Sequence, residues 1–213
     1  MKETVIEINN LTKDIKGDII LNNINLNIKR NKIYGIIGHN GCGKSMLFKA
    51  ICGLIKPTKG NIFVNEKEIG KDTSFPENVG VLIEDPGFIP NYTAVKNLKL
   101  LADIQGKIGE KEIKDSLIKV GLDPNNKKGV KKYSLGMKQK LGIAQAIMED
   151  PSILILDEPM NGLDFDSVKN IRNLILDLKN KGKTILLTSH NKEDIDILCD
   201  ELFKMDKGTL QSA

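Results

Sequence analysis

The stretch Gly38-His39-Asn40-Gly41-Cys42-Gly43-Lys44-Ser45 decides the fold of this chain. It fits the pattern GxxxxGK[ST], and it has the required context, because the apolar run Ile33–Ile37 precedes it and helical periodicity over Lys44–Cys52 follows it. Such a loop turns consecutive backbone N–H groups inward around a phosphate, and the helix start adds partial positive charge. We therefore expect the loop to bind nucleotide phosphates, with Lys44 on the β- and γ-phosphates and Ser45 on Mg²⁺.

A second apolar run, Ile153–Leu156, ends in two carboxylates, Asp157 and Glu158. The chain turns at the C-terminal end of a strand, so both acids can face the same phosphate cleft. Asp157 suits the Mg²⁺ shell, and Glu158 suits a general base that deprotonates the attacking water. Two solvated acids at a strand exit are the alternative. With the phosphate loop upstream, the pair predicts a Mg-dependent nucleotide hydrolase.

Strand and helix patterns alternate along the chain and predict an α/β fold. Thr4–Ile8 and Ile19–Ile28 alternate in polarity like strands, and residues 86–150 are helical in pattern throughout, with Thr93 as the expected cap of one helix. Short apolar strands, Ile153–Leu156 and Thr184–Thr188, then alternate with an amphipathic helix, which indicates a parallel sheet buried on both faces. We therefore predict a P-loop α/β core made of residues 1–85 and 151–213, with an all-helical subdomain inserted at residues 86–150.

Composition limits the class of protein. The 213 residues, 40% apolar and 28% charged, suit one globular domain. The longest apolar runs are far shorter than the roughly 20 residues that span a bilayer, and charges lie where a signal peptide needs an apolar block. Cys42, Cys52 and Cys199 lack metal-ligand or CxxC spacing, which indicates reduced thiols. We therefore expect a cytoplasmic protein.

The net charge of +4 comes from lysines that are mixed with a nearly matching number of acids. We expect no nucleic-acid partner, because proteins that bind nucleic acid usually concentrate their charge. One cluster stands out, formed by Lys127, Lys128, Lys131 and Lys132. Either it is a solvated loop, or it contacts anionic lipid or phosphate.

Further motifs follow in an order that resembles the ABC ATPases. Tyr133-Ser134-Leu135-Gly136-Met137-Lys138-Gln139 looks like their signature motif, Asn161-Gly162-Leu163-Asp164 looks like their D-loop, and Thr188-Ser189-His190 looks like their switch histidine. The resemblance covers essentially the whole chain, and a kinase or GTPase would not have this set. It implies ATP as the nucleotide and a RecA-like core with a mostly parallel sheet and an N-terminal antiparallel β part.

The resemblance also implies that ATP is sandwiched between two such subunits, identical or closely paralogous. Ser134 and Gly136 would open a helix that points at the γ-phosphate bound by the opposite subunit, and Asp164 would join the nucleotide-binding residues. His190 would contact the γ-phosphate in cis and help to hold the transition state, although a lone histidine at a strand end is more often structural. The catalytic residues implied are thus Glu158, His190 and Lys44.

Glu84 stands where most ABC ATPases have a glutamine. In this respect, and in its signature and D-loop letters, the chain resembles the ABC ATPases that export antimicrobial peptides, including lantibiotic-immunity and bacitracin-resistance transporters. A carboxylate there only accepts hydrogen bonds and brings negative charge toward the triphosphate. We expect Glu84 to contribute to the nucleotide site and to face Mg²⁺ or a cation of the membrane partner. An exposed acid at a strand exit is the alternative.

Three other residues depart from the family pattern or stand out in it. Ile15 falls near the place where an aromatic side chain commonly stacks on adenine, which predicts loose recognition of the base. Met46 replaces the usual threonine after Ser45, and we include it among the nucleotide-binding residues. Cys42 lies beside Lys44 and a helix N-terminus, surroundings that favour a thiolate, so it is either reactive or fills the place of a small residue.

The resemblance implies an ATP-hydrolysing subunit that powers a separate transmembrane permease. The permease would dock near Glu84 and the helical subdomain, and the chain would touch the inner face of the membrane only through it. An antimicrobial peptide as cargo rests on family analogy. A soluble ABC ATPase acting on DNA or the ribosome is the rival, but such proteins usually have coiled coils or two ATPase halves, and this chain shows neither heptads nor a repeat. The sequence stops soon after Gly208-Thr209-Leu210, so we expect no regulatory domain.

Overall fold

The computed structural model describes residues 3–213, which form two β-sheets and the helices packed against them. The smaller sheet is antiparallel and consists of β1 (Thr4–Ile15), β2 (Asp18–Lys29), β4 (Lys59–Val64) and β5 (Lys67–Glu68), in the spatial order β2-β1-β4-β5. It contains the N-terminal antiparallel β part that the sequence predicted.

The larger sheet carries the strands that precede the predicted site residues. It consists of β3 (Ile33–Ile37), β6 (Val79–Leu82), β7 (Ile153–Leu156), β8 (Thr184–Thr188), β9 (Glu201–Asp206) and β10 (Thr209–Ser212). The spatial order is β10-β9-β3-β8-β7-β6, and all pairs are parallel except β9 with β10. The mostly parallel core is therefore confirmed, and β8 lies between the strand of the phosphate loop and the strand of Asp157.

Helices fill the connections between these strands. Those in the described part of the chain are α1 (Lys44–Ile51), α2 (Ala94–Gln105), α3 (Glu110–Lys119), α4 (Leu135–Ile147), α5 (Phe165–Asn180) and α6 (Lys192–Leu198). The predicted cap of α2 is present, since the Thr93 hydroxyl accepts from the Lys96 N–H at 3.2 Å. Between β6 and β7, the chain forms α2, α3, α4 and a short 3-10 turn at Val130–Lys132.

The larger sheet is buried on both faces, as its apolar strands predicted. On β7, Ile153 and Ile155 pack with α1 and the antiparallel sheet, whereas Leu154 and Leu156 pack with α4 and α5 on the other face. All four side chains are buried. A strand of this kind has no solvent-facing side, so its whole length reads as apolar.

Close backbone packing joins α4 to the edge of the larger sheet. A Cβ at Gly80 of β6 would lie 1.9 Å from the Ala146 carbonyl oxygen, and a Cβ at Gly142 would lie 2.7 Å from Leu82 Cδ1. Only glycine fits at such distances. The contact fixes the helical region against the core and brings the first turns of α4 near the end of β7.

Several short strands were not predicted from the sequence, namely β4, β5, β6, β9 and β10. Their polarity patterns are mixed, because only one side of each is well buried or the strand is very short. Within residues 3–213, no helix has the length and apolar character needed to cross a membrane.

Candidate active site

The phosphate loop joins β3 to α1 at the C-terminal edge of the larger sheet. Lys44 is nearly buried, and its Nζ donates to the Gly38 carbonyl at 2.7 Å and to the His39 carbonyl at 3.2 Å. Gly43 has φ 115° just before the helix, and a Cβ there would lie 2.7 Å from Met205 Cε. The loop therefore has the compact, glycine-dependent form that lets backbone N–H groups approach a phosphate.

The other loop residues take different positions. Asn40, Gly41 and Met46 line a cavity of about 330 Å³ together with Lys44, whereas His39 is exposed and its Nε2 lies 3.3 Å from Asp206 Oδ1. Cys42 is only 2% exposed, and a Cβ at Gly38 would lie 2.6 Å from its Sγ. This burial favours the interpretation of Cys42 as a small space-filling residue over that of a reactive thiol.

Ser45, Asp157 and Thr188 form a connected group of oxygen atoms beside the loop. The Ser45 hydroxyl donates to Asp157 Oδ2 at 2.5 Å, and the Thr188 hydroxyl donates to Asp157 Oδ1 at 2.6 Å. The Thr188 hydroxyl also accepts from the Glu158 N–H at 2.8 Å. These bonds fix Asp157 against Ser45, so the two residues predicted to hold a metal lie side by side.

Glu158 follows Asp157 and contacts the predicted switch histidine. Its Oε1 lies 2.7 Å from His190 Nδ1. Burial raises the pKa of Glu158 above its ordinary value, while the positive charges of His190 and Lys44 act in the opposite direction. The backbone of Glu158 is left-handed, with φ 49°, a conformation that non-glycine residues adopt rarely and mostly at constrained sites. The geometry thus brings the Glu158 carboxylate and the His190 imidazole together at the cleft.

Glu84 has a partner within its own chain. Its Oε1 lies 2.6 Å from Lys49 Nζ on α1, a contact that the sequence did not predict. Glu84 nevertheless lines a second cavity of about 250 Å³ beside Asp157 and Glu158. Because the chain that leaves β6 passes beside α1, the fold itself supplies a cation for Glu84.

The predicted signature residues lie together but outside these two cavities. The Ser134 hydroxyl accepts from the Met137 N–H at 3.2 Å, and Asp164 accepts from the Ser167 N–H at 2.8 Å, so each caps the helix that follows. The hydrogen bonds from Ser167 hold the pKa of Asp164 below its usual value. A Cβ at Gly136 would lie 2.8 Å from the Gly162 carbonyl oxygen, so the two motifs pack against each other. We call Ser134, Gly136, Gly162 and Asp164 the signature face.

Ile15, the residue expected near adenine, lies in the antiparallel sheet. Ile15 pairs with Asp18 at the tip of the β1–β2 hairpin and is 42% exposed. Ile20 and Met46 are the apolar residues in the lining of the phosphate cavity. No aromatic side chain lines that cavity within residues 3–213.

The contacts of three residues were not predicted from the sequence. Thr188 and Gln139 were noted only as parts of motifs, yet Thr188 bridges Asp157 to Glu158. Gln139 Nε2 donates to the Glu158 carbonyl at 2.9 Å. Lys49 was not singled out at all. For Thr188, a usable signal was a hydroxyl at the end of a fully apolar strand. Nothing in the sequence pairs Lys49 with Glu84.

Comparisons with known proteins agree with this geometry. The model of the ABC transporter family matches residues 21–161. The chain is 46% identical to the uncharacterized ABC transporter ATP-binding protein YybJ of Bacillus subtilis (strain 168), over 98% of this chain and 96% of that protein. The chain belongs to the ABC transporter family. As an ABC ATPase, it binds and hydrolyses ATP, and it is the ATP-binding subunit of a transporter.

Two further relatives of this ABC ATPase carry names that refer to antimicrobial peptides. The bacitracin transport ATP-binding protein BcrA of Enterococcus faecalis is 40% identical over 98% of this chain and 68% of the relative. The lantibiotic transport ATP-binding protein SrtF of Streptococcus pyogenes is 39% identical over 92% of this chain and 84% of the relative. The resemblance to this group, expected from the motifs, is confirmed.

Solved structures show the same fold. The ATP-binding cassette MJ0796 bound to ADP and Pi superposes with a TM-score of 0.87 at 23% identity, over 98% of this chain and 97% of that one. CbiO1 from Clostridium perfringens, part of the ABC transporter complex cbiONQ, superposes with a TM-score of 0.82 at 28% identity, over 99% of this chain and 88% of that one. The ABC ATPase fold is therefore confirmed.

Proposed function

We propose that this ABC ATPase works as one of two paired subunits that drive a separate membrane permease, with Mg²⁺-ATP held between the phosphate cleft of one subunit and the signature face of the other. The observation that carries the proposal is that no residue of the signature face lines either cavity of the cleft. Ser134 is exposed to solvent, and the cavities therefore lack the helix N-terminus that it caps. A second subunit would supply it.

Mg²⁺ fits the oxygen atoms at the cleft. Magnesium is usually held by one or two carboxylates together with substrate phosphates, and Ser45 Oγ and Asp157 Oδ2 lie 2.5 Å apart here. These two residues would hold the ion. When bound, the ion would neutralise charge on the β- and γ-phosphates.

Glu158 is the proposed general base. Its carboxylate would accept a proton from the attacking water, and Lys44 and His190 would offset negative charge on the γ-phosphate. The bond between His190 Nδ1 and Glu158 Oε1 orients the carboxylate in the resting chain. Both carboxylate oxygens of Asp157 already accept hydrogen bonds, from Ser45 and Thr188. Glu158 is therefore the carboxylate that would act as the general base.

Glu158→Gln tests the assignment. We expect ATP binding to persist while turnover falls on the order of 10²–10⁴-fold, because the amide does not accept the proton. ATP should then convert the variant from monomer to dimer in size-exclusion chromatography with light scattering. Glu110→Gln, an exposed glutamate on α3, is the matched control. Normal hydrolysis by Glu158→Gln would refute the assignment of Glu158 as the general base. A variant that stays monomeric with ATP bound would refute the binding of ATP between two subunits.

The proposed cargo is an antimicrobial peptide of the bacitracin or lantibiotic type. Support comes from the two relatives named for such transport. The permease is a separate protein that holds this subunit at the cytoplasmic face of the membrane.

Susceptibility tests the cargo. Cells that lack the chain should become sensitive to bacitracin or a lantibiotic, and the intact gene should restore resistance while Glu158→Gln does not. The ATPase should also co-purify with a multi-span membrane protein from detergent extracts. Unchanged susceptibility to both peptide classes would refute the cargo while leaving the ATPase assignment intact.

A further inference from the structure

A buried ionic group lies directly behind the loop that carries His190. Asp194, in the first turn of α6, is only 2% exposed. Its Oδ1 accepts from Arg172 Nε at 2.8 Å and from Arg172 Nη2 at 2.6 Å, and its Oδ2 accepts from the Ser189 hydroxyl at 2.7 Å. A buried carboxylate with both oxygens occupied in this way holds its partners in one geometry.

The contacts of Ser189 tie the backbone on both sides of His190. The Ser189 hydroxyl accepts from the Asn191 N–H at 3.1 Å while it donates to Asp194. On the preceding side, Thr188 donates to Asp157. The His190 side chain itself is 63% exposed, and its contact with Glu158 is the bond that holds the ring. The backbone anchor therefore restricts where the imidazole can reach.

We propose that Arg172, Asp194 and Ser189 are positioning residues that set His190 against Glu158 for ATP hydrolysis. They do not touch the cleft, and they act only through the backbone of residues 188–191. This inference rests on the proposed role of His190. Misplacement of a catalytic group by about 1 Å can cost on the order of 10²-fold in rate, so an anchor of this kind has a kinetic consequence.

Ser189→Ala is the cleanest test of the anchor. Asp194→Ala would leave the Arg172 guanidinium without its buried partner and destabilise the fold, whereas Ser189→Ala removes one hydroxyl and keeps the ion pair. We expect kcat to fall about fivefold, a factor that corresponds to the usual net free energy of one hydrogen bond, while the KM for ATP stays unchanged. Ser116→Ala is the matched control, because it removes a buried hydroxyl that donates to Ile113 O far from the cleft.

A double-mutant cycle separates positioning from general stability. Ser189→Ala should have no further effect on kcat in a His190→Ala background, since the group that it positions is already absent. An equal loss in both backgrounds, or no loss in the parent, would overturn the inference. If His190→Ala itself hydrolyses ATP at the parental rate, the proposed role of His190 fails first.

Imidazole NMR of the full chain tests the anchor without turnover. The chain has only two histidines, His39 and His190, so each gives an assignable signal. Ser189→Ala should move the His190 signal and leave that of His39 in place, while Ser116→Ala should move neither. An unmoved His190 signal would show that Ser189 does not position the ring, whatever the kinetics.

Discussion

The phosphate cleft and the signature face differ in where their polar groups find partners. In the cleft, Ser45 of α1, Asp157 and Glu158 after β7, and Thr188 of β8 bond to one another. On the signature face, Ser134 and Asp164 bond to the first turn of the helix that each one caps. The cleft is thus assembled by contacts across the sheet, whereas the signature face has local contacts and, in the proposed pair, meets the nucleotide of the other subunit.

The largest expected effect tests this division by mixing two inactive variants. Lys44→Met removes the phosphate-binding charge of the cleft, and Gly136→Val places a side chain 2.8 Å from the Gly162 carbonyl on the signature face. We expect each variant alone to lose on the order of 10²-fold in ATPase rate, as for other lost electrostatic contacts in active sites. Their mixture should regain activity, because one of its two sites combines an intact cleft with an intact face.

Mixing either variant with itself, at the same total concentration, is the control. Failure of the mixture to recover activity would mean that both regions act within one chain. ATPase rate against mixing ratio is the measurement, and recovery should peak near equal amounts.

The pH dependence of hydrolysis should come from the cleft alone. Burial raises the pKa of Glu158 above its ordinary value of 4.5, and a general base works only when ionised. As pH falls through that raised pKa, kcat should drop about tenfold for each further pH unit. By linkage, burial of the carboxylate costs folding stability as pH rises through the same pKa.

The measurement is kcat between about pH 8 and about pH 5 at saturating ATP. ATP binding by Glu158→Gln should show no such decrease over the same pH range. A decrease in kcat centred at or below the ordinary pKa of a glutamate would contradict the burial of this side chain.

We expect the cleft to discriminate weakly between adenine and guanine nucleotides. With Ile15 at the exposed tip of the hairpin, GTP is expected to compete well with ATP. Ile15→Tyr would add a stacking surface worth about 1–3 kcal/mol, which corresponds to roughly 5- to 150-fold in ATP affinity. Competition binding with both nucleotides is the measurement, and Ile19→Tyr, at another exposed position of the hairpin, is the control. Parental selectivity for ATP over GTP by more than about tenfold would contradict the expectation.

The smallest effect concerns Lys49 and Glu84. Because both side chains are partly exposed, their pairing is worth at most about 1 kcal/mol. Lys49→Met should therefore raise the KM for ATP by no more than about fivefold, through the uncompensated charge of Glu84 near the triphosphate. The same change in a Glu84→Gln background should have no effect, and Lys114→Met, which removes the ion pair with Glu110, is the control. Equal effects in both backgrounds would show that Lys49 acts independently of Glu84.

Sequence patterns predicted the strands of the core well where burial was complete. Ile33–Ile37, Ile153–Leu156 and Thr184–Thr188 match β3, β7 and β8 to the residue, because a strand covered on both faces is apolar along its length. The strands at the sheet edges, such as β6 and β10, were missed because part of each faces solvent. The helix start at Thr93 was predictable because the capping hydrogen bond joins two residues, Thr93 and Lys96, that are only three apart in the chain.

The sequence by itself determined the chemistry of the site. Glycine spacing, a lysine and two acids at a strand end predict a phosphate loop and a general base, because the residues of each motif are neighbours in the chain. Only the tertiary structure decided which side chains meet across the sheet. With β8 between β3 and β7, Thr188 reaches Asp157. The end of β6 brings Glu84 to Lys49. These contacts depend on strand order, and strand order depends on long-range packing that no local pattern contains.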